Sequence, residues 1–482
     1  MTHLLVTGGL GFIGSHIVEA AVARGWRVTV VDSLRSDVHA STEVPDWFTG
    51  LRGDVELLIR DAGDVPEKLL RSVDAVSHQA AKVGLGVDFG DAPDYMDSNP
   101  GVTARLLAAM AVSGPGRLVL ASSMVVYGEG LYRDGDAVTQ PPARAVDDLR
   151  AGRFEPLDRR GRPLHPLLIT EDDPTEPRNV YAVSKLAQEQ LSRSWARSTG
   201  GSVVALRYHN VFGARMPIGT PYAGVASIFR SSLARGEAPR VFEDGRQRRD
   251  FVDVRDVAAA NIRALEWLDG RPEGTVETFN VGSGTVRTIG EFASALAEAV
   301  HGPSPVVTGE FRLGDVRHIT ASSERIAAQL GWHARVPWAE AVRAFAKAPM
   351  RVPVGSRKAS ARAGDAAASV GWIQHVSRPV RSRGDRIRVS DSTPVHPVLA
   401  HRQGDDEDVE GGERREPPRE VADQLEALVA DEGHQEADQP GIRPQLVTKH
   451  GDDEDHLHDP MAKQVDGAEQ CRRDAEAAGV VE

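Results

Sequence analysis

Tyr181 and Lys185 are separated by three residues, a spacing that on an α-helix sets a phenol and an ammonium on one face. A cation beside a phenol stabilises the phenolate and lowers its pKa, so the pair could take a proton from an alcohol and return it. On its own the spacing is ordinary surface-helix chemistry. Two other segments give it weight. Ser122-Ser123-Met124-Val125-Val126-Tyr127-Gly128 supplies hydroxyls, and Val6-Thr7-Gly8-Gly9-Leu10-Gly11-Phe12-Ile13-Gly14 follows an aliphatic run and opens an amphipathic stretch. In that context Gly8 permits a tight turn, Gly11 lets backbone N–H groups approach a pyrophosphate, and Gly14 allows close packing of helix on strand. The helix N-terminus then faces the phosphate charge.

Asp32 ends a second apolar run 18 residues beyond Gly14. A carboxylate there accepts hydrogen bonds from ribose hydroxyls and repels a 2′-phosphate, and Ser33 and Leu34 follow it with no adjacent Arg, so NAD is expected over NADP. Gly53-Asp54-Val55 is expected where the next strand ends, with Asp54 toward the adenine amino group.

These residues need a scaffold, and the chain spells one out. Short aliphatic runs at 4–7, 28–32, 75–79, 118–122, 203–208 and 278–281 alternate with amphipathic stretches, the pattern of a parallel sheet covered by helices. Ile13, Ile17, Ala20 and Ala21 fall at helical spacing between the first two runs, which completes a βαβ unit. The fold class expected is α/β, a Rossmann-type doubly wound parallel sheet with a smaller C-terminal substrate-binding part. Residues 1–348 form the catalytic domain, with cofactor binding mainly in 1–210, substrate binding mainly in 211–348 and an insertion at about 130–165.

The composition changes after Met350. The last 132 residues hold one aromatic, Trp372, and 27 acidic against 18 basic side chains, so they carry −9 of the net −13. Such a segment buries little apolar surface, and 349–482 is expected to be a disordered acidic tail with one short amphipathic stretch at 420–430. Off-frame or read-through sequence would have a similar composition. No apolar run approaches the ~20 residues of a membrane span, and Met1-Thr2-His3 lacks the basic and apolar regions of a leader, which points to the cytoplasm. Cys471 is the only cysteine, so an internal disulfide is excluded and no zinc ligand set is expected. The net negative charge argues against general nucleic-acid binding.

The glycine motif, Asp32, Gly53-Asp54-Val55, His78-Gln79-Ala80-Ala81, the Ser123 segment and Tyr181-Ala182-Val183-Ser184-Lys185 occur in the order of the extended short-chain dehydrogenase/reductases, in particular the NAD-dependent epimerase/dehydratase family, which the chain resembles. The resemblance covers about 345 residues. It implies that Tyr181 is the acid/base, Lys185 its electrostatic partner and a ribose ligand, and Ser123 the hydroxyl that orients the sugar oxygen. It also implies cofactor contacts from Gly8, Gly11, Phe12, Ile13, Gly14, Asp32, Ser33, Asp54, Val55, Ala80, Asn99 and Tyr208, in addition to Tyr181 and Lys185. In Tyr208-His209-Asn210-Val211-Phe212-Gly213, Asn210 is expected to contact substrate, and His209 reads as a satisfied structural histidine. The stretch 244–257 resembles the substrate-part signature of nucleotide-sugar enzymes: Arg249 and Arg312 would hold the diphosphate, Asp315 the nucleotide ribose and Phe242 the base, since Arg forks suit phosphate.

Related dehydratases place an Asp-Glu pair directly after the catalytic hydroxyl, where this chain has Met124 and Val125, and oxidation to the acid commonly uses a thiol. What remains is hydride transfer to NAD and back. The chain is most similar to the UDP-glucose and dTDP-L-rhamnose 4-epimerase branches, especially through 81–86 and the long insertion before Tyr181. That insertion carries no Cys pair and is expected to be a lid or surface loop. The resemblance implies 4-epimerisation of a UDP- or dTDP-linked hexose by a homodimer. A reductase or dehydrogenase of the same family is the rival within enzymes, and an NAD-binding regulatory or scaffold protein is the rival outside them.

Overall fold

The computed structural model describes residues 1–351, apart from 37–38, 40–43, 52, 54, 85–88 and 218–223. The expected disordered tail, the stretch at 420–430 and Cys471 lie outside the described residues.

Seven parallel strands make the central sheet: His3–Thr7 (β1), Arg27–Asp32 (β2), Val55–Ile59 (β3), Ala75–His78 (β4), Arg117–Ser123 (β5), Ser202–Tyr208 (β9) and Val276–Val281 (β13). Their order is β13-β9-β5-β4-β1-β2-β3. Every residue of β1, β4 and β9 is buried, because helices cover both faces of the sheet. Helices Phe12–Ala23 and Val254–Leu268 pack on one face, where Leu4, Val6, Val30 and Phe279 join the largest apolar cluster. Val102–Ser113 and Val180–Thr199 pack together on the other. The direction of winding reverses between β1 and β4, so the carboxyl ends at Thr7 and His78 open the crevice in which such sheets bind ligands.

The sheet is not confined to the residues before 210. The helix Val254–Leu268 and β13 return from the later half of the chain, and β13 covers the otherwise open edge of β9 from Val276↔Val203 to Val281↔Tyr208. The smaller part is built from Asn210–Phe212 (β10), Arg248–Asp253 (β12) and Val286–Thr288 (β14), with the pair Arg240–Val241 (β11) and Val306–Val307 (β15) beside them. Its core is aromatic, with Phe251 stacked on Phe292 at 4.3 Å and Phe212 edge-on to Phe292 and Phe345.

The insertion carries secondary structure of its own. Tyr132–Asp134 (β6), Ala137–Thr139 (β7) and His165–Pro166 (β8) form a small antiparallel sheet with a short helix, Val146–Arg150. Buried ion pairs fasten it to the smaller part. Among the described residues, no helix is long and apolar enough to cross a membrane.

Candidate active site

The glycine segment closes on itself because side chains are excluded. Gly8 takes φ +67°, and a Cβ there would lie 2.8 Å from Ala80 N, while a Cβ on Gly14 would lie 2.1 Å from Gly8 O. Gly11 N donates to Gly8 O at 3.0 Å, and helix Phe12–Ala23 then starts with no side-chain cap, so the first-turn N–H groups of Phe12 and Ile13 face the turn. Ala80 N reaches Thr7 Oγ1 at 3.3 Å, which sets the β4 loop against Gly8. This cradle fits a dinucleotide pyrophosphate.

Asp32 ends β2 as expected. Its two oxygens accept Leu10 N–H at 3.0 Å and Leu34 N–H at 2.9 Å, which aims the carboxylate over the turn, with Ser33 beside it. Arg35, three residues on, makes a bidentate pair with Asp94 at 3.0 Å for each bond, so it is directed toward Asp94 and Ser98. The Arg35 guanidinium holds the Asp94 carboxyl well below the usual range against the effect of burial. Lys82, buried, donates to the same carboxylate at 2.8 Å.

Val55, Asp54, Asn99 and Tyr208 are the other residues expected at the cofactor. Val55 opens β3 and so lies at the amino edge of the sheet, away from the glycine turn; Asp54 lies outside the described residues. Ile59, opposite Asp32, is the carboxyl end, and the acid that follows it is Asp61, which accepts Gly63 N–H at 2.7 Å. Asn99 is wholly buried, with Nδ2 donating to Lys82 O at 3.0 Å and Ser184 Oγ at 2.8 Å and Oδ1 accepting Lys82 N–H, which ties the segment at Lys82 to the helix Val180–Thr199. Tyr208 points into the apolar core, its hydroxyl bonded to Gln79 and Asn261.

The three residues expected to be catalytic, Ser123, Tyr181 and Lys185, come together at the carboxyl edge. Ser123 is the last residue of β5, and Met124–Tyr127 continues as a 3₁₀ turn. Asn179 caps the helix Val180–Thr199 by accepting Ala182 N–H at 2.9 Å, which fixes the first turn where Tyr181 sits. Burial pushes the Tyr181 phenol up to about 12, and its hydrogen bond with Ser123 acts in the opposite direction. Lys185 lies one helical turn beyond Tyr181 and is buried. Its Nζ donates to Ala121 O at 2.9 Å, and burial pulls the amine down to about 7 against the opposing pull of Glu189. Glu189, one turn further along the buried face, is paired with Arg207 at 2.8 Å and accepts the Ser122 hydroxyl.

The expected substrate residues gather on the smaller part. The Arg312 guanidinium lies 5.1 Å from the Phe242 ring. Burial raises the Asp315 carboxyl pKa, with Arg312 and then Arg249 acting against it. Arg249 donates to the carbonyls of Arg248, Val316 and Arg317 at 2.8–3.0 Å, which orients its fork. Asn210 lies in β10, its Oδ1 buried without a hydrogen-bond partner. His209 is buried but not satisfied: neither ring nitrogen has a partner, although Asn280 lies beside it, and burial pulls the imidazole down to about 3. Among the described residues, no His, Cys, Asp and Glu group is arranged to hold a metal ion.

Sequence reading missed Lys82, Asp61 and the Glu189–Arg207 pair. For Asp61 a signal existed, since Arg60-Asp61-Ala62 follows the apolar run that forms β3. For Glu189–Arg207 there was none, because the partners come from different elements.

Comparison with known proteins places this geometry. The sequence pattern of the NAD dependent epimerase/dehydratase family matches residues 4–147 and 160–282. The dTDP-L-rhamnose 4-epimerase of Burkholderia thailandensis is 33% identical, over 68% of this chain and 90% of that protein. A UDP-N-acetyl-alpha-D-glucosaminuronate decarboxylase from Bacillus cytotoxicus is 30% identical, over 63% of this chain and 82% of that one. Among solved structures, the UDP-glucose 4-epimerase of Thermus thermophilus in complex with NAD superposes with a TM-score of 0.55 at 30% identity, covering 72% of this chain and 98% of that one.

Proposed function

Because the chain belongs to the NAD-dependent epimerase/dehydratase family, we propose that it is a nucleotide-sugar 4-epimerase that oxidises C4 of a UDP- or dTDP-linked hexose transiently and reduces it again. The observation that carries this reading is Tyr181 hydrogen-bonded to Ser123 at the carboxyl edge of the sheet, with Met124 and Val125 where elimination would need an acid pair. The same absence of an acid separates this chain from the expectation for a decarboxylase. The Burkholderia relative and the Thermus structure both carry 4-epimerase names.

NAD would be held by the Gly8–Gly14 cradle and Asp32, and it supplies reversible hydride uptake at C4. Arg35 is bound bidentately to Asp94, an arrangement that favours the unphosphorylated ribose. With its phenolate stabilised by the positive charges of Lys185 and the oxidised nicotinamide, Tyr181 would take the C4 hydroxyl proton, Ser123 would donate to the same oxygen, and Tyr181 would return the proton once the opposite face has been reduced. Between these events the sugar turns while Arg249, Arg312 and Asp315 hold the nucleotide end. Asp61 would meet the adenine edge. Homodimerisation through the helices Val102–Ser113 and Val180–Thr199 is part of this reading; Val112 and Val183 are exposed on them.

Purified protein incubated with UDP-galactose, UDP-glucose and dTDP-L-rhamnose tests the proposal. Interconversion of C4 epimers without net NADH is expected. Stoichiometric NADH formation or consumption would mean a dehydrogenase or reductase, and nucleotide binding without turnover of any sugar would mean a binding protein.

A further inference from the structure

Arg317 has no exposed surface, yet all five of its N–H bonds end on carboxylates. Nε and Nη2 donate to Glu155 of the insertion at 3.1 and 2.6 Å, Nη1 to Glu243 and Asp244 at 2.8 and 2.7 Å, and Nη2 to Asp244 at 2.9 Å. A guanidinium removed from water is stable only when its charge and every donor are matched, so this arrangement allows little play between the insertion and the segment that carries Phe242. Arg144, also from the insertion, adds a second tie at 2.8 Å to Glu243 and another to Asp315 O at 2.7 Å.

The two ties converge on a strained residue. Glu243 has φ +54°, a left-handed conformation that a non-glycine residue adopts at a cost, and its carboxylate is gripped by both Arg144 and Arg317. That conformation sets Phe242 against Arg312. The main chain of the same segment does the rest: Arg317 O accepts Arg249 Nη1 at 3.0 Å, so the residue that receives the insertion also aims the cation expected at the diphosphate.

We propose that the insertion is a fixed wall of the nucleotide-diphosphate end of the site, and that Arg317 is the positioning residue through which it sets Phe242, Arg249, Arg312 and Asp315 for a nucleoside diphosphate. The inference rests on the nucleotide-sugar reading above. It assigns the insertion to substrate affinity rather than to opening and closing over the sugar. Glu129 supports the same wall from behind, accepting the backbone N–H of Arg317 at 3.0 Å and the Tyr132 hydroxyl at 2.7 Å.

The test uses the full-length protein loaded with NAD, titrated with UDP and dTDP by calorimetry and assayed with the sugar nucleotide that it converts. Glu155→Ala is expected to weaken nucleoside diphosphate binding and raise KM about 5- to 20-fold with kcat within about twofold, the range in which positioning contacts couple to a site. Glu155→Gln, which keeps an acceptor for Arg317, is expected to restore most of that loss. Arg317→Met is expected to do more; should it not fold, the Glu155 pair still decides. Wild-type affinity in Glu155→Ala, or a fall in kcat at constant KM, overturns the inference while leaving the epimerase reading intact. Failure of the wild type to bind either nucleotide removes the nucleotide-sugar reading, and the inference with it.

Discussion

Arg351 donates to the carbonyl oxygen of Leu10 at 3.0 Å, while Leu10 N–H donates to Asp32 at 3.0 Å. The residue at the centre of the glycine turn is therefore held from both sides, by the acid expected at the ribose and by a cation from the far end of the described chain. Arg351 Nε also donates to Arg215 O at 2.7 Å, and burial pulls the guanidinium down to about 10. Replacing Arg351 by Ala is expected to weaken NAD binding by about 5- to 20-fold, the scale of a contact that acts through its neighbour. Fluorescence titration with NAD measures it, and unchanged affinity would show that Asp32 and the glycines suffice.

Tyr181→Phe removes the proton carrier and leaves the ring. Turnover is expected to fall at least ~10²-fold, the usual worth of a positioned acid/base group, with NAD affinity and the melting temperature close to wild type. Retained turnover would mean that another group moves the proton.

Lys185 is costly to the fold. Its amine sits near 7 in the folded protein, against about 10.4 in an unfolded chain. Between those values the unfolded state binds more protons, so stability contributed by this site rises with pH across the window and is lowest at and below about pH 7. Lys185→Met is expected to raise the melting temperature of the cofactor-free protein at pH 6, by the equivalent of about 1–2 kcal/mol, and to abolish turnover. The stability gain should shrink toward pH 10. A destabilised variant at pH 6 would mean that the ammonium is better solvated than its burial indicates.

Asp61 and Val55 make opposite predictions. Asp61 follows the carboxyl end of β3 and Val55 begins it, so Asp61→Ala is expected to weaken NAD binding by about 10-fold, roughly the worth of one charge-assisted hydrogen bond. Val55→Ala is expected to leave NAD binding within about twofold, since the amino end of β3 falls outside the crevice. Calorimetric titration of both variants checks the pair, and the reverse result would restore the sequence-based expectation.

Local spacing was enough to identify the glycine turn, Asp32 at the end of β2 and the shared helical face of Tyr181 and Lys185, because each depends on residues close in the chain and on a strand or helix whose period is written in the apolar pattern, whereas Ser123 was legible only through the family resemblance. The same pattern could not tell which end of β3 carries the functional acid, since acids flank the apolar run on both sides. What tertiary structure alone decided was where polar side chains spend their hydrogen bonds. Asn99 meets Ser184 across 85 residues and Arg317 meets Glu155 across 162, and neither pairing has any local periodicity. Burial settled the rest: it pulls the Lys185 amine down, drew the Tyr208 ring into the core and ties the insertion to the segment at Phe242 through ion pairs. The cost of an unpaired charge or donor away from water depends on the whole fold around it.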